Sequence, residues 1–172
     1  VQYVLPPVLA DVHEKYAHVP ISIISCSTEH IEQALLNKDI AVGIVEGRTH
    51  LRELHYEPFI EDEIVLIAQG NHPLAQRDEV TLEELKTYPL VLRERGSGTL
   101  EVIEYALKEH NIRLADLSVA MYLGSTESIK SYLFHSRELA FISVNAVQNE
   151  LRTGTFRIID VKDLAITRYL YT

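Results

Sequence analysis

Helical spacing and short apolar runs follow one another in the N-terminal part of the chain. Residues 6–16 begin with two prolines and continue with apolar residues at helical spacing, which predicts a helix of about 10 residues. The β-branched segment ISIIS at 21–25 predicts a strand, and a Ser/Thr-rich turn joins it to a predicted helix containing Ile31 and Leu35. The run IAVGIV at 40–45 is typical of a buried parallel strand.

The central part of the chain loses this βα order. Residues 54–68 predict two further extended segments, and the turn-forming string 70–73 follows them. Thr81 with Glu84 fits a capping box for the short helix LEEL, and a strand is predicted around 90–92.

Strand and helix patterns alternate again in the second half. Strands are predicted at 119–123 and 139–143, and each passes into an apolar helical pattern through small polar residues. The helix after 139–143 is expected to stop at Gly154, and strand-like residues FRIIDV and AITRYLY follow. This alternation predicts a mostly parallel sheet.

The order of elements predicts an α/β protein with two Rossmann-like lobes. Lobe I comprises 1–66 plus 164–172 and is expected to be incomplete at both ends, and lobe II comprises 70–163. Two extended segments, near 63–69 and at 164–172, are expected to cross between the lobes as a hinge. Ligands of such sheets bind at the carboxyl ends of strands, which predicts a binding cleft between the lobes.

Composition narrows the function classes. The 172 residues are 47% hydrophobic and 24% charged, as expected of a folded globular protein. The formal net charge is -9 and the 16 Lys and Arg residues are scattered, so we expect no nucleic-acid contact by this segment. The sequence has no apolar run of membrane-spanning length and no leader-like N-terminus, so we expect a cytoplasmic protein. Cys26 is the single cysteine, so we expect no internal disulfide.

Hydroxyl-bearing residues recur where a predicted strand becomes a helix. Such residues are common helix caps, but several helix N-termini converging on a cleft also bind carboxylate, sulfate or phosphate groups. Both interpretations stay open for every turn. The candidate effector-binding residues are Ser27, Thr28, Ser97, Gly98, Thr99, Ser125, Thr126 and Ser143.

The string RERGSGT at 93–99 is the most informative of these turns. Its two glycines allow a close backbone approach to a ligand, and two arginines add positive charge upstream. It lacks the spacing and the lysine of a P-loop, which argues against nucleotide hydrolysis.

Other chemistry is poorly supported. The eight histidines form no metal-binding motif, since the nearest pairs, His13/His18 and His50/His55, lie five residues apart, so we expect no metal and no cofactor. Cys26 has no identified base and is interpreted as a small buried hydrophobe rather than a reactive thiol. The carboxylates of Glu46 and of 61–63 are interpreted as charged surface turns rather than as acid-base groups. We expect no enzyme activity.

Together, several strings resemble the effector-binding region of LysR-type transcription regulators. The resemblance covers essentially the whole chain, and the branch that regulates sulfur and carbon assimilation is especially similar. The strings are YVLPPVLADVHEKY, NKDIAVGIVEG, EPFIEDEIVLIAQGNHPLA, YPLVLRERGSGTLEVIEYAL and GSTESIKSYL.

The resemblance implies a type 2 periplasmic-binding-protein architecture that holds a small, anionic metabolite at the turns chosen above. It also implies a homodimer or tetramer, and DNA binding through an N-terminal winged helix-turn-helix. We expect this chain to lack that DNA-binding part, and to lack the opening strand and the final helix of the effector-binding domain as well. The sequence departs from the family at Ala41, where an aspartate is usual, and at 136–141, where SRELAF replaces a glycine-rich turn.

Two other classes share this architecture. A solute-binding protein of a transporter is the main alternative, and the upstream gene sequence would reveal its signal peptide. An enzyme such as a prephenate dehydratase or a porphobilinogen deaminase is a further alternative, which a turnover assay would test.

Overall fold

The computed structural model describes residues 2–26, 28–46 and 51–172. The chain divides into two compact units. Unit 1 comprises Val1–Glu61 with Tyr169–Thr172, and unit 2 comprises Asp62–Arg168.

Helices and strands alternate over most of the described chain. The α-helices are α1 (Leu5–Lys15), α2 (Thr28–Leu36), α3 (Leu82–Leu85), α4 (Gly98–Glu109), α5 (Thr126–Leu133) and α6 (Gln148–Thr153). The strands are β1 (Val45–Glu46), β2 (Pro58–Gln69), β3 (Leu90–Arg93), β4 (Val119–Leu123), β5 (Leu139–Ser143), β6 (Phe156–Ile159) and β7 (Ile166–Tyr171).

Unit 1 contains both helices predicted for the N-terminal part. Helix α1 accommodates the two prolines in its first turn, where a missing N–H group breaks no intrahelical hydrogen bond. Helix α2 buries Ile31. A Cβ atom at Gly43 would lie 2.6 Å from Ile31 Cγ2, so the backbone at Gly43 approaches α2 more closely than a side chain would allow.

The two strands predicted in this unit are largely wrong. Residues 21–25 form no strand, and the side chains of Ile23 and Ile24 are exposed. Of the run 40–45 only Val45 is in a strand, and β1 pairs antiparallel with β7 rather than parallel. β-Branched residues favour a strand because they pack on a pleated surface beside a partner, and within the described residues 21–25 have no partner strand.

Unit 2 has a regular sheet, and its three predicted βα strands are confirmed. Strand β3 lies between β4 and β5 and runs parallel to both, with Leu90 opposite Val119 on one side and Leu139 on the other. Because β3 and β5 are parallel, their carboxyl ends lie at the same edge of the sheet. This edge carries the start of α4 and Ser143.

The prediction of a mostly parallel sheet is wrong, because β2 runs antiparallel to both β5 and β6. Residues 54–68, predicted as two extended segments, contribute instead to the single 12-residue strand β2. Its residues Ile64–Ala68 are all buried.

Helix α4 is held on this sheet by an apolar face. Leu100, Ile103 and Leu107 are almost completely buried and belong to the same core cluster as Leu92 and Phe141. Burying one such side chain contributes about 1.5 to 3 kcal/mol. Core packing therefore fixes where the N-terminus of α4 lies relative to β3 and β5.

The predicted turns of unit 2 form as expected. Thr81 and Glu84 make a full capping box at α3. Gly154 ends α6 in the left-handed conformation with a φ of 73°, and His72 caps a 3-10 turn at Pro73–Gln76.

Candidate functional site

The turn between β3 and α4 places Ser97, Gly98 and Thr99 at a helix start. Gly96, with a φ of 84°, reverses the chain, and Ser97 caps the helix by accepting a hydrogen bond from the backbone N–H of Leu100 at 3.2 Å. Ser97 and Thr99 are both only 8% exposed. Ser97 therefore has the capping role that the sequence left open, and binding of an effector here stays a prediction.

The two arginines upstream of this turn differ in their surroundings. Arg93 forms an ion pair with Glu94, with an Nε–Oε2 distance of 2.7 Å. This hydrogen bond from Arg93 lowers the pKa of the Glu94 carboxyl, so the carboxyl stays ionised. Its negative charge offsets the positive charge of Arg93, which therefore adds little to the electrostatic field at the turn. Arg95 is exposed.

Thr99 belongs to a buried polar network that the sequence did not predict. Arg168 Nη1 donates a hydrogen bond of 2.9 Å to Thr99 Oγ1. The same guanidinium forms an ion pair with Asp62, at 2.7 Å from Nη2 and 2.9 Å from Nε to Oδ2. Only 10% of the Arg168 side chain and 3% of the Asp62 side chain are exposed.

The second carboxylate oxygen of Asp62 extends the network to β5. Asp62 Oδ1 accepts hydrogen bonds from Ser143 Oγ at 2.7 Å and from Asn145 Nδ2 at 2.9 Å. Two candidate residues from different turns, Thr99 and Ser143, are thus joined through one ion pair. We call Thr99, Arg168, Asp62, Ser143 and Asn145 the polar network.

The interpretation of Asp62 as part of a charged surface turn is wrong, because Asp62 lies in β2 and is 4% exposed. Its neighbours Glu61 and Glu63 are exposed. Strand alternation was the missed signal: Asp62 is in phase with the buried Ile64, and Arg168 lies between the buried Ile166 and Leu170 of β7. Opposite charges at inward positions of two strands predict a buried pair.

Ser125 and Thr126 lie at the start of α5, and no hydrogen bond of the described chain joins them to the polar network. Ser125 is exposed and caps α5, since Ser125 Oγ accepts from the backbone N–H of Ser128 at 3.0 Å. Thr126 is the first residue of the helix and is half-buried.

The remaining candidates belong to unit 1. Thr28 begins α2, and its Oγ1 donates to the backbone oxygen of Glu46 at 3.0 Å. Ser27 lies outside the described residues. Cys26 is exposed, so its interpretation as a buried hydrophobe is wrong. The segment before it forms no strand and leaves this part of the chain at the surface.

Over 2–26, 28–46 and 51–172, no group of three His, Cys, Asp or Glu side chains is arranged to hold a metal ion. Within the same ranges, no helix has the length and apolar character needed to cross a membrane.

Comparison with known proteins gives consistent matches. The family model for the LysR substrate binding domain matches residues 1–172. The HTH-type transcriptional regulator YeiE of Escherichia coli K12 is 36% identical over 169 residues, which cover 98% of this chain and 56% of that protein. The HTH-type transcriptional regulator CysL of Bacillus subtilis is 28% identical, with the same two coverages. The chain thus spans little more than half the length of these relatives.

A solved structure shows the same fold. The regulatory domain of CcmR from Synechocystis PCC6803, in complex with 2-PG, superposes with a TM-score of 0.81 at 24% sequence identity. The superposition covers 99% of this chain and 80% of that one.

Proposed function

The chain belongs to the LysR substrate-binding domain family, and from this membership we propose that it senses an effector for a DNA-binding transcription regulator. The match of the family over residues 1–172 carries this proposal. The relatives named above are transcriptional regulators, which favours a regulator over a transporter's solute-binding protein. We propose no catalytic role for this chain.

The proposed effector is a small anionic metabolite. In its first turn α4 presents backbone N–H groups without intrahelical partners, and the helix dipole is positive at this end. Gly98 leaves this turn open to a close approach by a ligand. We propose the candidates at the start of α4, at the start of α5 and at Ser143 as effector contacts, and Ser27 and Thr28 stay predicted effector-binding residues. The lobe boundaries at 66, 70 and 164 likewise stay a prediction.

The whole protein is proposed to bind DNA through an N-terminal winged helix-turn-helix, to work in the cytoplasm, and to assemble as a homodimer or tetramer. The net charge of -9 supports DNA binding by a different part of the protein, because an acidic segment repels the phosphate backbone. Paired domains would present the same surface twice across a two-fold axis.

A thermal-shift screen of the full-length protein tests the proposal. Sulfate, O-acetylserine and acids of central metabolism are compared with neutral analogues, and each hit is titrated by calorimetry. The expected result is saturable binding of an acid that changes the protein's affinity for promoter DNA in a gel shift. Saturable binding without any effect on DNA binding, with turnover or transport of the ligand instead, would contradict it.

A further inference from the structure

Asp62 and Arg168 stand at the two places where the chain passes from one unit to the other. Unit 2 comprises Asp62–Arg168, so its first and last residues are the two partners of the buried ion pair. β2 extends from the pair back to Pro58, and β7 extends from it to Tyr171. The two strands are neighbours in the sheet. One ion pair therefore joins both connecting strands at the point where they leave unit 2.

The part of β2 that lies inside unit 2 is paired on both sides. Ile64–Ile67 pair with β5, and Leu66–Gln69 pair with β6. The side chains of Ile64–Ala68 are all buried. Bending the strand here would break ladder hydrogen bonds and expose apolar surface, and both changes cost free energy. This buried part of β2 therefore resists bending most.

Residues 58–61 of the same strand have fewer contacts. Their only partly buried member is Ile60, and the other three residues are exposed. The pairings of β2 with β5 and β6 begin at Ile64 and Leu66, so 58–61 have β7 alone beside them in the described sheet. Opening this short stretch breaks fewer hydrogen bonds and exposes less apolar surface than opening the buried part.

A second contact joins the chain just beyond the ends of both strands. Glu57 N donates to Thr172 O at 2.8 Å, and Thr172 N donates to Glu57 O at 3.0 Å. Residues 58–61 of β2 and 169–171 of β7 lie between this backbone pair and the ion pair. Leu170 is the one buried residue of these two segments, in contrast to the continuous buried run of β2 inside unit 2.

The ion pair is anchored in unit 2 through both of its partners. Arg168 donates to Thr99 at the start of α4. Asp62 accepts from Ser143 and Asn145. The side chains of Asp62 and Arg168 are 3% and 10% exposed, so separating them would leave a buried charge without compensation. The exposed segments should therefore open before the ion pair breaks.

We propose that the Asp62–Arg168 pair is a clamp that fixes where the two connecting strands bend. Bending is confined to residues 58–61 of β2 and 169–171 of β7. The clamp stays closed while these two segments open, so β2 and β7 stay in place inside unit 2. This inference goes beyond the proposed function, because it holds for any effector and for none.

Amide hydrogen exchange of the full-length protein, followed by mass spectrometry of overlapping peptides, tests the position of the bend. In the wild type we expect the amides of 59–61 and 169–171 to exchange about tenfold faster than those of 64–67 or more, because segments with few buried contacts open locally. Equal exchange rates over 59–67 would overturn the proposal, and this measurement requires no variant.

Asp62→Asn tests the clamp itself, since it removes the charge with little change in shape. We expect the amides of residues 62, 63 and 166–168 to exchange about 10- to 100-fold faster, as loss of a hydrogen bond to a charged group allows. The amides of 59–61 and 169–171 should keep their rates, because they open while the clamp is closed. Acceleration of these segments by the same factor, or unchanged rates throughout, would overturn the clamp.

Lys130→Gln is the matched control. Lys130 Nζ lies 2.8 Å from Glu150 Oε1, and only 11% and 16% of the two side chains are exposed. This second buried ion pair joins α5 to α6 and involves neither connecting strand. The variant should leave the rates at 62, 63 and 166–168 unchanged. Acceleration there equal to that in Asp62→Asn would show that these amides report unfolding of the whole unit, and the clamp would be wrong.

Arg168→Lys serves if Asp62→Asn does not fold. Lysine keeps the positive charge but lacks the planar fork that contacts Asp62 and Thr99 together. We expect the same amides to exchange faster, by a smaller factor than in Asp62→Asn. Unchanged rates in a folded Arg168→Lys protein would contradict the clamp.

Discussion

Arg168 Nη2 lies 2.7 Å from Asp62 Oδ2, in an ion pair that joins β7 to β2 within unit 2. Removing one partner of such a buried pair leaves a charge without compensation. We expect Arg168→Ala to lower the free energy of unfolding by about 3 to 5 kcal/mol in urea denaturation.

The neutral double variant Asp62→Leu with Arg168→Met should lose less than this single variant, because neither charge remains buried. Arg157→Ala on β6 removes an exposed arginine and is the control, with an expected change within about 0.5 kcal/mol. A loss below about 1 kcal/mol in Arg168→Ala would show that the pair is not stabilising its surroundings.

His72 should make unit 2 less stable in mild acid. The imidazole is buried, and its Nδ1 accepts a hydrogen bond from the backbone N–H of Leu74 at 3.1 Å, which requires the neutral form. Burial, followed by the charge of Arg137, lowers the pKa of His72 below its usual 6.5. Its contribution is therefore complete above about pH 6.5 and is lost as the pH falls through the lower pKa of the folded state.

Measuring the free energy of unfolding against pH for the wild type and for His72→Asn checks this prediction. Asparagine can still accept at the cap but does not titrate, so the difference between the two curves should change below about pH 6.5. The exposed His135→Asn is the control and should follow the wild type. Parallel curves for all three proteins would contradict the prediction.

Glu84 provides a stabilisation that persists to low pH. A hydrogen bond from Arg77, supported by bonds from the Thr81 backbone and side chain, lowers the pKa of Glu84 from 4.5 to about 2. The contribution is present above pH 4.5 and should be lost as the pH falls through about 2.

An NMR titration of the Glu84 carboxyl should show this low midpoint, and Arg77→Gln should move it upward. Glu84→Gln should be less stable than the wild type at pH 7 but not near pH 2. Glu79→Gln, at an exposed position nearby, serves as the matched variant. A Glu84 midpoint near 4.5 in the wild type would be inconsistent with the contact to Arg77.

Gly70 is constrained by its neighbour rather than by its own backbone conformation. A Cβ atom at Gly70 would lie 2.3 Å from the backbone oxygen of Gly154, and a backbone atom cannot move aside cheaply. We expect Gly70→Ala to cost about 1 to 3 kcal/mol, as overpacking does. Gly124→Ala, which meets no atom within 4 Å, should change the thermal unfolding midpoint little. Equal midpoints for the two variants would contradict the close approach.

The periodicity of apolar residues predicted those elements whose side chains pack within a single βα unit. The strands around 90–92, 119–123 and 139–143 and the capping box at Thr81 depend on local patterns, and the structure confirms them. The run 21–25 has an equally strong strand composition but no partner within the described residues, so composition alone was misleading.

The candidate site was only partly predictable for a related reason. Hydroxyl residues at helix starts identified Ser97, Thr99 and Ser143 without revealing their partners. Asp62 and Arg168 are distant in the sequence and meet because both fold into unit 2, Asp62 on β2 and Arg168 on β7. Alternation along each strand places both charged residues at inward-facing positions, because each alternates with buried apolar residues. This pattern in the sequence was the signal for the pair.

Strand β2 also constrains how unit 2 can be synthesised. Leu66 pairs with Phe141 on one side and with Ile159 on the other, and Ile67 likewise has partners on both sides. These partners are made long after β2 itself, so a nascent chain still attached to the ribosome cannot pair both edges of this run until residue 159 has left the exit tunnel. Until then at least one edge of the apolar run Ile64–Ala68 is unpaired and open to chaperones, and pausing translation just before β6 should prolong that exposure.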